Sequence, residues 1–484
     1  MVRFQHGPPE KSCEYGEIGR RAGLRIQFLT EWGFESLYSH QIFKRSSRMS
    51  QVQSPAFSLR DSGPQFSSAT VVIPSDYVRL LYEEASDTQK THIHTHGFSR
   101  GDTPLSYIQK NFQPHLIEHI KEFLFKYFVI NSFYEELHRK KIFLAGEPLL
   151  QDVNTTPTND LSYTFSLTLA QPIALHGWKR LPFKAPKRKN YKDLDRQVEN
   201  FLKDEELFKK KAPINVISIG DWVNFTVLLL NKWKEPIFPF HKENLWIKIG
   251  SEEADIPFQS LFLHKLIGEK FITNDECIQE YFSTHLDTNY TFLIEIADVL
   301  HQSYFCIEHF KKHFRIKTVK EIHQKLVEVF SYRNDISQRR ATAEETLKLL
   351  LARHPFSVPP HLILRQQKTI LDIIAQSPDY QVYKMQPDFN YKTRMLAERQ
   401  MRENMLINQL AIHEGIDVTN ADIKGYLNLS NRQRTAEFIY FEPPATKFLG
   451  HESPISTTLL TLSCLKEKTL NHAIHHLTRN RSGI

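Results

Sequence analysis

The chain has 484 residues, 40% of them hydrophobic and 24% charged, with a formal net charge of +7; these are the proportions of a globular protein long enough for about three domains. Mean hydropathy is −0.42 and no uninterrupted apolar run approaches the ~20 residues that cross a bilayer, which excludes a membrane-spanning helix. Cys13, Cys277, Cys306 and Cys464 are scattered without C-x-x-C spacing, which excludes a disulfide framework and a zinc cluster and fits a reducing cytosol, while the basic balance favours anionic partners, RNA among them.

Residues 1–48 mix Gly, Pro and Arg with isolated aromatics and carry no long apolar stretch. They read as a poorly ordered or non-native extension before a start at Met49, with an Arg-bearing transit peptide as the other reading. Ala69–Pro74 is a short apolar strand. His92, His94 and His96 alternate, as on one face of a strand. No carboxylate or thiol partner can be placed beside them, so no metal site is expected. Next comes His96-Gly97-Phe98-Ser99-Arg100-Gly101-Asp102-Thr103-Pro104. Gly97 and Gly101 permit positive φ, and Pro104 stiffens the exit. This predicts a hairpin tip that displays Phe98 with Arg100 two positions on, suited to docking onto something large and anionic. An ordinary turn with a buried Phe is the plain alternative. From Leu105 a long amphipathic helix runs to about Lys140, with Leu116, Ile120, Phe123, Tyr127, Ile130 and Tyr134 at helical steps. Leu161–Leu167 alternates as a strand. A boundary falls near Pro172 to Pro186, where the Pro-punctuated basic segment Trp178–Lys189 reads as a solvated linker, with an exposed strand edge or a Lys/Arg run that touches RNA as the other readings.

Leu194, Val198 and Phe201 repeat at helical spacing. A Gly220-Asp221 turn then feeds an alternating strand through Phe225, Thr226 and Val227, followed by a strand over Asn244–Ile249 and a final one over Thr291–Leu300. Beyond about Ser303 the chain is helical over Val319–Tyr332, Ala343–Arg353, His361–Ser377, Tyr391–His413 and Ala421–Leu429. Pro360 suits a first helical turn, Gly415 a helix stop, and Thr419 with Asp422 a capping box.

The order of these elements, the Gly97-Phe98, Gly101 and Pro104 positions, the Gly220-Asp221 strand entry, the Leu266-Ile267-Gly268 turn and the Ser357–Ile363 helix entry together resemble the bacterial trigger factor family over roughly residues 50–475. The resemblance implies an α+β, multidomain protein: an N-terminal α+β ribosome-binding domain at 49–175, an inserted β-rich domain of the FK506-binding-protein type at 176–302, and a helical chaperone domain at 303–484. It implies an ATP-independent cytoplasmic chaperone that docks through Gly97, Phe98, Arg100, Gly101 and Pro104 beside the ribosomal exit tunnel and holds unfolded nascent polypeptides. The family has Arg where this chain has Ser99, and Lys where it has Asp102; both changes weaken docking.

Peptidyl-prolyl isomerisation needs an apolar pocket that takes the X–Pro amide out of water, and neither nucleophile nor metal. The resemblance offers Phe225, Ile256 and Phe258 as its candidates, with core packing as the alternative. The rest of the family's pocket motif is replaced by Gly250-Ser251-Glu252-Glu253-Ala254-Asp255, so weak or undetectable isomerase activity is expected. No Gly-rich phosphate loop, Ser/His/Asp order or HExxH occurs, so no nucleotide, cofactor, metal or membrane partner is expected. The competing readings are a prolyl isomerase as the main activity and a ribosome-independent holdase.

Overall fold

In this computed structural model the described residues are 55–92, 97–99, 101–155, 160–186, 193–211, 216–448 and 450–479. The extension at 1–48, Arg100, the 93–96 histidine stretch and the basic run 187–190 lie outside them.

The N-terminal sheet is antiparallel, with β1 (Ala56–Gly63), β2 (Phe66–Ile73), β3 (Leu149–Thr155) and β4 (Leu161–Thr168) in the order β1-β2-β4-β3. Alternation decides its faces: Ala69, Val71 and Ile73 of β2 and Tyr163, Phe165 and Leu167 of β4 are buried, and the residues between them are not fully so. That face meets a run of helices. The single long helix expected from Leu105 is instead three: Leu105–Asn111, Gln113–Leu124 and Ile130–Arg139, the last two joined through a π-turn at Phe125–Val129. Pro114 in the first turn of the second helix sets the break at Phe112. Phe133 packs on Phe165 at a ring separation of 4.2 Å.

The opposite side of the same helices covers a second antiparallel sheet, made of β5 (Trp222–Leu230), β6 (Glu243–Lys248), β7 (Lys270–Thr273) and β8 (Thr291–Leu300). Tyr127 of the π-turn accepts the Leu229 N–H at 2.9 Å, and the Phe123 ring meets that of Tyr290, tilted, at 4.9 Å. Buried His119, whose pKa desolvation drives down to about 4, lies 3.1 Å from the Tyr290 hydroxyl. The far face of this sheet carries Trp222, Trp246 and Leu300, packed against Ile423, Leu427 and Leu460 of the C-terminal helices. The second sheet is therefore covered on both faces, and the layers run sheet, helices, sheet, helices.

The C-terminal block follows its expected helices: Val319–Phe330, Gln338–Arg353, Pro360–Ala375, Phe389–His413 and Asn420–Ser430, closed by Thr457–Arg479. Gly415 has φ +61, and the Thr419–Asp422 capping box forms. Just before the last helix the chain adds Ile455–Ser456 as an edge strand on β6. The segment read as a solvated linker is not one. Leu175, Trp178 and Phe183 are buried among Leu350, Leu406 and Leu410, and the Trp178 indole donates to Glu414 at 3.0 Å. The Leu194–Lys211 helix likewise packs on the helical block through Leu194 and Val198.

One buried polar knot joins the three blocks. Asn131 donates to Glu243 of β6 and accepts from the Thr458 hydroxyl at 3.1 Å. Burial lifts the Glu243 carboxyl to about 6 from its ordinary 4.5, with hydrogen bonds to His241 and Asn131 opposing. A carboxyl whose folded pKa lies above its unfolded one is bound to a proton more readily in the native state, so its charge disfavours folding above that range and the penalty fades as pH falls through it. The interval corresponds to about 2 kcal/mol. Buried neutral His119 and His313, both held near 4, act in the opposite sense, so the comparison must be made against Glu243→Gln. Chemical denaturation at pH 7 and pH 4 should show the wild type gaining about 2 kcal/mol on the variant at the lower pH; a pH-independent difference would contradict the buried charge.

Candidate functional site

The 97–104 loop joins the Ser75–His92 and Leu105–Asn111 helices. His92 ends a helix, so the expected strand with alternating histidines is not present at that residue, and the tip is a helix–loop–helix connection rather than a hairpin. The two helices are tied by the Tyr82 hydroxyl, which donates to the Gln109 carbonyl at 2.8 Å. Gly97 and Gly101 both have φ +90, a conformation other residues adopt only under strain. Between them the Asp102 N–H closes a turn on the Ser99 carbonyl at 3.0 Å. Thr103 is buried and fastens the exit, and the Pro104 carbonyl starts the next helix by accepting from Tyr107 and Ile108.

This leaves Phe98 39% exposed, its ring 5.5 Å from that of Tyr107, itself 38% exposed. The apex is thus an apolar pair, of which the sequence pattern marks one member; Tyr107 follows Pro104 by three residues, one helical turn, and that spacing is the signal that could have found it. Gly97, Phe98, Gly101 and Pro104 come together in one loop, with Asp102 exposed beside them. Arg100 is outside the described residues.

Of the three isomerase candidates, Phe225 and Phe258 belong to one buried cluster and Ile256 does not. Phe225 is fully buried in β5 against Phe262, at a ring separation of 4.7 Å. Phe258 is buried on the Ile256–Phe262 helix, and Ile256 at the start of that helix is 53% exposed. The aromatic face of the sheet is occupied from within: Tyr127 meets Phe282 at 5.4 Å and Phe123 meets Phe292 at 6.5 Å. Asp221 is engaged as well, accepting from the N–H groups of Ser218 and Gln302 at 3.0 Å and lying 2.9 Å from His301 Nδ1. These residues hold strand ends together. Among the described residues no group of three or more His, Cys, Asp or Glu is arranged to hold a metal ion, and no helix is long and apolar enough to cross a membrane.

A second apolar surface lies at the end of the helical block. Helices Pro360–Ala375 and Phe389–His413 form an antiparallel pair whose turn contains Tyr380–Lys384. There Val382 and Met385 in the turn and Tyr391 and Met395 in the helix that follows are exposed, Met385 by 82%.

Core and pocket roles predict different outcomes on substitution. Phe225→Ala should cost about 3–5 kcal/mol of stability, as for a buried aromatic, while Ile256→Ala should stay within about 0.5 kcal/mol. A protease-coupled prolyl assay should detect little or no turnover in any of the three proteins. Strong turnover lost specifically in a stably folded Phe258→Ala variant would reverse this assignment.

Comparison with known proteins bears on the same segments. A family model described as "Bacterial trigger factor protein (TF)" matches residues 59–204, which include the loop and the whole first sheet from Leu59 onward. The trigger factor of Geobacter sulfurreducens is 19% identical over 375 residues, covering 73% of this chain and 83% of the relative. That of Campylobacter jejuni is 25% identical over 239 residues, or 48% of this chain and 52% of the relative. A solved structure described as "Promiscuous Substrate Recognition in Folding and Assembly Activities of the Trigger Factor Chaperone" aligns over 87% of this chain and all of its own, at 14% identity and a TM-score of 0.35.

Proposed function

We propose that this chain, a divergent member of the trigger factor family, is an ATP-independent cytoplasmic chaperone that docks on the ribosome beside the exit tunnel and holds nascent polypeptides. The observation that carries the reading is the 97–104 loop, an over-determined turn inside the family-matched region that spends two positive-φ glycines on presenting Phe98 and Tyr107 to solvent. An exposed aromatic pair on a rigid apex is an anchor for a preformed cleft, and Arg100 would add a charge-assisted contact to phosphate or carboxylate.

Client holding is assigned to the end of the helical pair. Met385 with Val382, Tyr391 and Met395 gives adaptable and aromatic side chains exposed at and just after this turn. Many weak contacts on such a surface retain an unfolded segment without a fixed sequence, and shield it from aggregation. No step of this needs a nucleotide. The three-part division at 49–175, 176–302 and 303–484 belongs to the same proposal, with one change: 173–185 and 194–211 are grouped with the helical part on which they pack.

Ser99 and Asp102 favour a second reading, a holdase that has lost tight docking. Each charge-assisted contact is worth roughly 1.5–3 kcal/mol at a well-formed site and less when exposed. One lost contact and one added repulsion therefore weaken binding by about tenfold. Co-sedimentation with ribosomes separates the readings. Binding should be weak and salt-sensitive, lost in Phe98→Ala with Arg100→Ala, and tightened by Ser99→Arg with Asp102→Lys. Intact binding in the first double variant would remove the loop as the docking element; no binding by any variant, with aggregation suppression retained, would favour the holdase.

A further inference from the structure

The turn between β5 and the stretch leading to β6, Asn231-Lys232-Trp233-Lys234-Glu235-Pro236, has no part in the roles assigned so far. It is firmly built. The Asn231 side-chain oxygen accepts the N–H groups of Trp233 and Glu235, both at 2.9 Å. Its backbone N–H donates to the Glu235 carbonyl, and the Lys234 N–H returns to the Asn231 carbonyl, each at 2.8 Å. Lys234 is held at φ +63, a conformation that a Lys keeps only where its surroundings impose it. Everything local fixes the apex, and the apex carries Trp233, 67% exposed, whereas the other described tryptophans, Trp178, Trp222 and Trp246, are at most 3% exposed.

The chemistry of the apex is specific. Lys232 Nζ lies 4.7 Å from the Trp233 ring centroid, and Lys234 follows on the other side in sequence. An exposed indole with one lysine over its ring and a second beside it in sequence offers a stacking face and positive charge at once, the combination that single-stranded nucleic acid requires. An acidic peptide would use the two lysines and leave the indole face unspent. The nearby acids are Glu83, Glu84 and Asp87 on the Ser75–His92 helix, and Glu235 in the turn. Glu84 accepts a hydrogen bond from the Lys232 backbone N–H, so it seats the turn on that helix.

The same helix leads into the Phe98 loop. From Glu84 to His92 is eight residues, about 12 Å at 1.5 Å per residue. We propose that the Asn231–Pro236 turn is a second docking element that binds single-stranded RNA, with a base stacked on Trp233 and flanking phosphates met by Lys232 and Lys234. For its place on the ribosome this rests on the proposed docking through the Phe98 loop; for its chemistry it rests on the turn alone. Two weak anchors on one rigid helix raise each other's effective concentration, so a loop with reduced charge still gives useful occupancy.

The test uses the full chain and a fluorescein-labelled single-stranded RNA oligonucleotide, with a duplex RNA and poly-glutamate as comparators. Anisotropy should show Trp233→Ala weakening single-stranded RNA binding roughly five- to a hundredfold, the range for loss of one stacked base. Trp233→Phe should retain most of it. Lys232→Gln with Lys234→Gln should lower the slope of log K against log salt by about 1.4. RNA should also protect the iodide-quenchable fluorescence that disappears in Trp233→Phe. Unchanged RNA affinity in Trp233→Ala overturns the proposal, and so does equal protection of Trp233 by poly-glutamate, which would mark the turn as a protein contact. On ribosomes, loss of binding in Phe98→Ala but not in Trp233→Ala refutes this inference and leaves the docking reading standing; no loss in either refutes both.

Discussion

Strand β5 has neither face in water. Leu229 meets Tyr127 of the N-terminal helices, and Phe225 lies under Phe262 in the same buried cluster as Val223 and Val227, while Trp222 and the adjoining Trp246 lie against Ile423, Leu427 and Leu460 of the C-terminal helices. An antiparallel sheet usually keeps one solvated face; this one buries both, so the blocks on either side can be packed only if β5 is in place. The Asn131–Glu243–Thr458 knot lies where helix, sheet and last helix meet, and Ile455–Ser456 closes the β6 edge from the C-terminal side. The middle sheet is thereby the part on which the other layers depend.

The same packing surrounds the isomerase candidates. A prolyl site needs aromatic surface open to a substrate. Here Phe123, Tyr127, Phe282 and Phe292 spend that surface on one another, and Phe225 sits beneath Phe262. The exposed aromatic and apolar groups stand instead at the ends of elements: the Phe98–Tyr107 apex, the Trp233 turn and the Met385 end of the helical pair. Each stands on a rigid support, which keeps the entropy of presenting an apolar group in water small.

What could be read from the sequence was local. The Thr419–Asp422 capping box, the Pro360 helix start, the Gly415 stop and the alternation of β2, β4 and β8 are written within a few residues of each other, and the structure follows them. Phe98 was legible as exposed because two glycines flank it. What was not legible depends on partners far away in the chain. The Pro-rich 172–186 segment has the composition of a linker, yet Trp178 is buried because Glu414, more than two hundred residues on, accepts its indole proton. β1 and β3 are edge strands with weak alternation, and the two-residue Ile455–Ser456 strand carries no periodic signal at all. The aromatic residues of Gln113–Arg139 looked like one amphipathic face; the structure divides them between two sheets. Trp233 escaped notice because exposure of an aromatic is a tertiary fact.

Native-state hydrogen exchange under rising denaturant tests the central claim most directly, since it reports which segments open together. If the middle sheet is the part on which the other layers depend, the amides of Phe225 and Val227 should exchange only on global unfolding, at the same free energy as those of Phe123 in the N-terminal helices and Leu427 in the C-terminal helices. If the β5–β8 sheet stays protected after the helices on either face have exchanged, it folds as an independent unit and the dependence of the layers on β5 is contradicted.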